Sequence, residues 1–359
     1  MKYFAGWGML LEQCFHELCG AIGQRPDFIC DSDPGKHGKA LHGISCIPFE
    51  AAWDDLDAEF FITVRKYQSI VERLKAQGHS NIHVVHFDRS YHKVVRISPH
   101  NAQPRSIIPF PSGFFQGKNI LVTGASRGLG SQLAVKLASL GADLILHARE
   151  TAHLEYTRNQ CMAFGRRVDG LAADLESAEE TGKLIEALAT KHPRIDIIYN
   201  NAAISPPTPA DNYHIPRLDF EKCFKVNALA PILIASTFIP KMLAASFGRI
   251  VNVSSSIQYQ PLVAAYATSK AALDKFVFDL APTLNGTNVA INLVDPGSLR
   301  TDMNRENGLH PVESALNGLL VAALFEHGNG RWISAQDYSN LSLDEAHTEA
   351  IHRLELKTI

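Results

Sequence analysis

The sequence predicts an α/β protein of two units, the larger built on a doubly wound parallel sheet, and three observations carry that reading. Short β-branched runs alternate with longer stretches of helical spacing along the 359-residue chain. A proline-rich segment, "ISPHNAQPRSIIPFPSGFFQGK" from Ile97 to Lys118, interrupts the alternation, because Pro99, Pro104, Pro109 and Pro111 obstruct regular helix and central strand. Beyond it a buried-strand run meets a glycine turn and then a helix. The expected division is a front unit over 1–97, a linker over 98–117 and the larger unit over 118–359.

The front unit opens on "KYFAGWGMLLEQCFHEL", a short strand, a Gly6-Trp7-Gly8 turn and an amphipathic helix. Further strands are expected in "DFICDSD" (27–33), "GISCIPF" (43–49), "EFFITV" (59–64) and "SNIHVVHF" (80–87). Between the last two, "YQSIVERLKAQG" (67–78) reads as a helix ended by Gly78. A small parallel sheet, a second Rossmann-like unit, accounts for these elements. No metal centre is expected among His79, His83, His86 and His92, since His83 and His86 stand three apart on a predicted strand and face opposite sides. "DSDPGKHG" lacks the third acidic position and distant glutamate of a calcium loop.

In the larger unit "NILVTG" (119–124) is a buried strand, followed by the glycine turn and by "SQLAVKLASLGA" with Leu133, Leu137 and Leu140 at helical spacing. "DLILHA" (143–148), "DIIYNNA" (196–202), "GRIVNVSS" (248–255) and "VAINLVDPG" (289–297) continue the sheet, with helices between them. "VNALAPILIASTFIP" (226–240) is too short and interrupted to span a bilayer and reads as a buried or interface helix.

Composition excludes some functions. Apolar residues make up 46% and charged ones 20%, with a net charge of -3, which argues against disorder and against a broad nucleic-acid surface. Six cysteines without a CxxC pair, and an N-terminus without a signal-type segment, lead us to expect a cytoplasmic protein with no membrane partner.

"TGASRGLG" (123–130) spaces Gly124, Gly128 and Gly130 so that backbone N–H groups can approach a pyrophosphate and aim it at the next helix. At the end of the second strand, where an NAD site would carry an acid for the ribose 2′-hydroxyl, "LHARE" offers Arg149. Arg127 adds a second positive charge, so NADP(H) is expected in preference to NAD(H). Asp174 in "AADLES" either contacts the adenine or caps the next helix.

"YATSK" puts Tyr266 and Lys270 on one face of a helix, and of the nine tyrosines only this one has a lysine four residues on. The ammonium is expected to lower the phenol pKa and so make Tyr266 a working acid. Eleven residues upstream, "NVSSS" ends a strand and offers Ser254, Ser255 and Ser256 to a substrate carbonyl, with Ser255 the first choice. Asn227 lies in "KVNALAP" on a predicted helix.

These motifs, with "NNAA" (200–203) and "DPGSLRTDM" (295–303), make residues 118 to about 304 resemble the short-chain dehydrogenase/reductase family in order and nearly in spacing. The resemblance implies an NAD(P)-binding Rossmann fold. It implies Tyr266 as general acid, Lys270 on the nicotinamide ribose, Ser255 orienting the carbonyl and Asn227 holding a relay water. Asn200 and Asn201 would fix the cofactor strand, and Pro296, Gly297 and Thr301 would support the nicotinamide amide. Ser126, Leu129, Leu175 and Ala202 complete the implied cofactor contacts. A homodimer or homotetramer paired through helices near 227–246 and 266–281 is also implied. Two departures stand out. The interval from Ser255 to Tyr266 is about two residues short, and "GRWISAQDYSNLSLDE" (330–345) replaces the family's frequent glycine-pair ending.

The front unit resembles the nucleotide-sugar-binding domain of bacterial sugar O-acyltransferases in its glycine turn, its "DSD" and its "ITVRKYQSIVERLKAQG" stretch. That likeness implies Gly6, Gly8, Asp31 and Arg65 as ligand contacts, with a structural or oligomerising role as the alternative. Together the two units lead us to expect an NADPH-dependent ketone reductase acting on a keto substrate, a nucleotide-linked sugar of bacterial surface-polysaccharide biosynthesis. A 3-oxoacyl-thioester reductase and a non-catalytic cofactor-binding scaffold are the alternatives.

Overall fold

The computed structural model describes residues 1–64, 67–89, 93–99, 106–209, 211, 213–257, 260–304, 307–325 and 330–355. The chain forms two compact units, Met1–Ile107 with Ile351–Ile359, and Ile108–Ala350.

The first unit contains β1 (Lys2–Ala5), α1 (Met9–Ile22), β2 (Phe28–Cys30), β3 (Ala40–Leu41), β4 (Ile44–Ile47), β5 (Glu59–Ile62), α2 (Gln68–Ala76), β6 (Ile82–Arg89) and β7 (Lys93–Pro99). Its sheet runs in the order β3-β4-β2-β1-β5-β6-β7. The five central strands are parallel, whereas β3 and β7 pair antiparallel at the edges. Strand alternation splits β1 between two cores: Tyr3 and Ala5 pack with Phe60, Val71 and Leu74, while Phe4 packs with Leu11, Phe15 and Phe61. Each such aromatic contributes about 1.5–3 kcal/mol by leaving water, and Tyr3 stacks on Phe60 at 5.1 Å between centroids.

The second unit contains β8 (Asn119–Thr123), α3 (Gly128–Ser139), β9 (Asp143–Ala148), α4 (Glu155–Met162), β10 (Val168–Ala172), α5 (Ala178–Lys191) and β11 (Ile197–Asn200). It continues through α6 (Arg217–Cys223), α7 (Ala230–Ala244), β12 (Gly248–Val253), α8 (Ala264–Leu280), β13 (Val289–Asp295), α9 (Leu316–Leu324), β14 (Trp332–Ser334) and, as far as Ala350, α10 (Leu343–Glu355). The sheet order β10-β9-β8-β11-β12-β13-β14 is parallel throughout. Every residue of β9, β12 and β13 is buried, as strands covered by helices on both faces require. The order reverses between β8 and β11, which opens a crevice at their carboxyl ends.

Three expectations need correction. Strand β7 occupies part of the stretch assigned to the linker; a proline closes it, which is tolerated at the end of an edge strand. Nor are residues 106–117 a free tether. Phe110 and Phe115 are buried, and the backbone N–H of Phe110 donates to Asp344 at 2.8 Å. Finally, α6 and α7 join through a π-helical turn, Phe224–Leu229, into a helical run of 28 residues, Arg217–Ala244, long and apolar enough to cross a membrane by length and composition. Ala230, Ile234, Ala235, Phe238 and Met242 of this run are packed in the core of the second unit.

Candidate active site

The crevice between β8 and β11 is built around Thr123. Its hydroxyl accepts from the backbone N–H groups of Asn201 and Ala202, each at 3.0 Å, so the two strand ends are pinned together. Asn201 adds a second clamp, donating from Nδ2 to the carbonyls of Thr123 at 2.9 Å and Gly124 at 3.1 Å. Asn200 lies deeper and donates to Asn252 of β12 at 2.8 Å.

Glycine is required where the chain turns out of β8. Gly124 has φ +66° and a Cβ there would stand 2.8 Å from the Cα of Ala202. A Cβ on Gly130 would stand 2.2 Å from the Gly124 carbonyl oxygen. The loop therefore presents bare backbone ahead of α3, whose N-cap residue, Arg127, supplies no capping side chain. First-turn N–H groups without a side-chain cap, next to backbone that no Cβ obstructs, fit the pyrophosphate of a dinucleotide. Ser126 and Leu129 flank these glycines, and Thr301 covers the loop, 3.5 Å from where a Gly128 Cβ would lie.

The guanidinium of Arg127 pairs with Asp302 at 3.1 Å, with both side chains largely exposed. Arg149 is exposed just past the end of β9. Asp174 does not cap α5. Ser177 does, accepting from Glu180 N–H, while Asp174 accepts from Glu176 N–H at 2.9 Å in a side-chain turn. Leu175 is part of the core.

At the carboxyl end of β12 three residues take separate partners. The carbonyl of Val253 accepts from Lys270 Nζ at 2.7 Å. Ser254 is buried and its hydroxyl lies 2.5 Å from Asp274 Oδ1. Ser255 hydrogen-bonds the Tyr266 side chain. Ser254 is thus taken by Asp274, and Ser255 is the one that meets Tyr266.

Tyr266 and Lys270 sit one turn apart on α8, with Nζ 5.9 Å from the centroid of the phenol ring. Here an expectation is corrected. Burial, reinforced by the charges of Asp295, Cys223 and Asp274, pushes the Tyr266 phenol up to about 12, opposed by its hydrogen bond with Ser255. The lowering expected from Lys270 does not prevail. Its own ammonium is pushed down to about 8 by burial, with Asp274 and Cys223 acting the other way. Desolvation of a fully enclosed charge outweighs one nearby opposite charge.

Asn227 sits in the π-helical turn, fully buried. Its Nδ2 donates to the carbonyl of Ile204 at 2.9 Å and to Ser269 Oγ at 3.0 Å, and its Oδ1 accepts from Ile204 N–H at 2.8 Å. Both side-chain donors are spent, so a water held here by the side chain would have to donate to Oδ1. Beyond β13, Asp295 accepts from Gly297 N–H at 2.9 Å. Gln336 donates from Nε2 to the Pro296 carbonyl and to Ser314 Oγ, each at 2.8 Å.

Sequence reasoning missed Thr123, Ser254's partner Asp274, and Gln336. Asp274 was detectable as the residue four after Lys270 on the same helix face. Gln336 had no signal, because it follows a three-residue strand in a segment without a family likeness.

In the first unit the sheet order also reverses, between β1 and β5. Asp31, expected as a ligand contact, is taken up internally. Its carboxylate accepts from Trp7 N–H at 2.6 Å, Asp33 N–H at 2.8 Å and Lys36 Nζ at 3.3 Å, and so organises the loops at these strand ends. Gly6 has φ +97° and Gly8 stands at the N-cap of α1. Arg65 lies outside the described residues.

Residues 118–311 match the short chain dehydrogenase family. A 3-oxoacyl-(acyl-carrier-protein) reductase of Aquifex aeolicus is 36% identical over 196 residues, covering 52% of this chain and 76% of its own. An L-xylulose reductase of Caenorhabditis elegans is 34% identical over 206 residues, covering 55% and 78%. Among solved structures, an oxidoreductase from Escherichia coli superposes with a TM-score of 0.57 at 25% identity, covering 65% of this chain and 100% of that one. With a match across more than half of its length, on a parallel sheet with its glycine turn at the switch point, the chain belongs to the short chain dehydrogenase family of oxidoreductases acting on CH–OH and C=O groups.

Proposed function

We propose that the second unit is an NADP(H)-dependent carbonyl reductase. The observation that carries this reading is the meeting of Ser255 and Tyr266 over Lys270 at the carboxyl end of β12, beside the glycine crevice.

Held in that crevice, a nicotinamide dinucleotide would supply the hydride that a carbonyl carbon accepts. The Tyr266 hydroxyl donates a proton to the carbonyl oxygen, and the Ser255 hydroxyl, its hydrogen-bond partner, holds the same oxygen. A phenol pushed up to about 12 stays protonated at neutral pH, as an acid in this direction must. Lys270, pushed down only to about 8, is still mainly an ammonium there and stabilises the phenolate left by proton transfer. Asn227, with its side-chain donors spent on Ile204 and Ser269, holds the neighbouring loop against α8. Gly124, Gly128 and Gly130 admit the pyrophosphate, and Pro296, Gly297 and Thr301 border the nicotinamide end. Arg149 and Arg127 favour a 2′-phosphate, Arg127 by exchanging Asp302 for it.

The substrate reading that joins both units is a keto sugar linked to a nucleotide, taken in bacterial surface-polysaccharide biosynthesis. Its support is the first unit's own switch point with a glycine turn and an uncapped α1. A 3-oxoacyl thioester is the second reading, favoured by the 36% identity to a reductase of that substrate class. We place the protein in the cytoplasm as a homodimer or homotetramer; the support for the oligomer is Leu229 of the π-helical turn and Leu233 of α7, 47% and 40% exposed. The test is NADPH oxidation by the purified full chain against keto nucleotide-sugars and acetoacetyl-coenzyme A. Turnover of a keto sugar supports the two-unit reading, and turnover of the thioester alone replaces it with the second.

A further inference from the structure

One half-buried acid beside this site has no part in the chemistry above. Asp274 lies one turn beyond Lys270 on α8, so the two side chains share a face. Ser254 bonds Asp274 and Ser255 bonds Tyr266. Helix α8 therefore grips three consecutive residues of β12's end: Val253 through Lys270, Ser254 through Asp274 and Ser255 through Tyr266.

Charged and titratable groups meet Asp274 from several elements. Lys270 on its own helix attracts it, and Asp295 at the end of β13 repels it. Cys223 on α6 acts on Lys270 in the same direction as Asp274 does. Among the described residues Asp295 Oδ2 has no hydrogen-bond partner. Burial and Asp295 push the Asp274 carboxyl up to about 6, with Ser254 and Lys270 opposing.

We propose that Asp274 is a positioning residue for the reduction: it anchors Ser254 so that Ser255 meets Tyr266, and its charge keeps Lys270 an ammonium. This rests on the reductase reading. Removing the charge lets Lys270 lose its proton at lower pH, and hence shortens the alkaline side of the activity range. Protonating Asp274 near pH 6 weakens its charge-assisted hold on Ser254 and so sets the acid side.

The test measures kcat and KM from about pH 5 to about pH 10 with NADPH and two probes, acetoacetyl-coenzyme A and 9,10-phenanthrenequinone, in wild type and in Asp274→Asn. The asparagine can still accept from Ser254, so a merely structural role predicts an unchanged profile. We expect kcat to fall about tenfold with KM within about twofold, and the alkaline limb near 8 to move down by about one unit. The inflection near 6 should vanish. An unchanged kcat and profile overturns the proposal. If Asp274→Asn fails to fold, Ser254→Ala decides: a several-fold fall in kcat with both limbs kept supports it, and wild-type kcat overturns it. Tyr266→Phe separates the two claims. Full activity there, or no turnover of either probe by wild type, overturns the reductase reading and this inference together; an inactive Tyr266→Phe beside an unaltered Asp274→Asn overturns the inference alone.

Discussion

Lys270 donates from Nζ to the carbonyl of Val253 at 2.7 Å, so the helix that carries Tyr266 is tied to the strand end that carries Ser255. Parallel sheet and helix-face spacing build this contact from residues 17 apart in sequence. The bond also fixes a charge in a closed space, with a consequence for stability.

A lysine whose folded pKa is depressed to about 8, against an ordinary value near 10.5, makes folding less favourable wherever it must stay charged. The destabilisation is complete below about pH 8 and is relieved as pH rises toward about 10.5, on the order of 3 kcal/mol in all. Lys270→Met should therefore unfold at a higher denaturant concentration than wild type at pH 7, with the gap narrowing by pH 10. Urea midpoints at several pH values check the sign; a gap that widens with pH contradicts it.

Gly130 and Gly182 make a paired prediction. A methyl on Gly130 would meet the Gly124 carbonyl oxygen at 2.2 Å, while one on Gly182, in α5, has nothing within 4 Å. Gly130→Ala should cost about 1–3 kcal/mol and abolish NADPH binding, whereas Gly182→Ala should gain up to about 1 kcal/mol. Thermal melts with and without NADPH read both.

Arg149 carries the cofactor preference in this account. Arg149→Ala should weaken NADPH binding about tenfold and leave NADH binding within about twofold. Calorimetric titration of both nucleotides measures the ratio; an equal loss for both would remove Arg149 from the 2′-phosphate.

Gln336 holds the turn that follows β13. With Nε2 on Pro296 O and Ser314 Oγ, and its Cγ 2.8 Å from where a Gly297 Cβ would lie, it fixes residues 296–297 against the segment after β14. Gln336→Ala should raise the KM for NADPH several-fold, about 1 kcal/mol for one hydrogen-bonding group, with kcat little changed. Steady-state kinetics with NADPH varied show whether the loss lies in KM.

The sequence made the larger sheet legible where its strands are continuous β-branched runs buried on both faces, as in "DLILHA" and "GRIVNV". Strands such as Val168–Ala172 and Trp332–Ser334 escaped because an exposed Asp169 and a three-residue length leave little periodic signal. In the first unit β7 escaped because Pro99 reads as a break, although an edge strand can end on it. Motif spacing pointed to Tyr266, Lys270 and Ser255 about the end of β12 and to the three glycines at the end of β8. It could not show which way the Tyr266 phenol moves, since that depends first on how the fold encloses it, with Asp295 and Cys223, 29 and 43 positions away, adding to the rise. The assignment of Ser254 to Asp274 likewise depends on a helix turn packing against a strand end, which no local pattern records.

The most direct test of the central claim is kcat/KM of Tyr266→Phe against wild type with NADPH and acetoacetyl-coenzyme A or a keto nucleotide-sugar, alongside the NADPH dissociation constant of each. The account predicts a loss of about a thousandfold in kcat/KM with the dissociation constant within about twofold, because the hydroxyl acts on the carbonyl oxygen and not on the cofactor's phosphates. Wild-type turnover by the phenylalanine variant would contradict it, and the proton would have to come from another group.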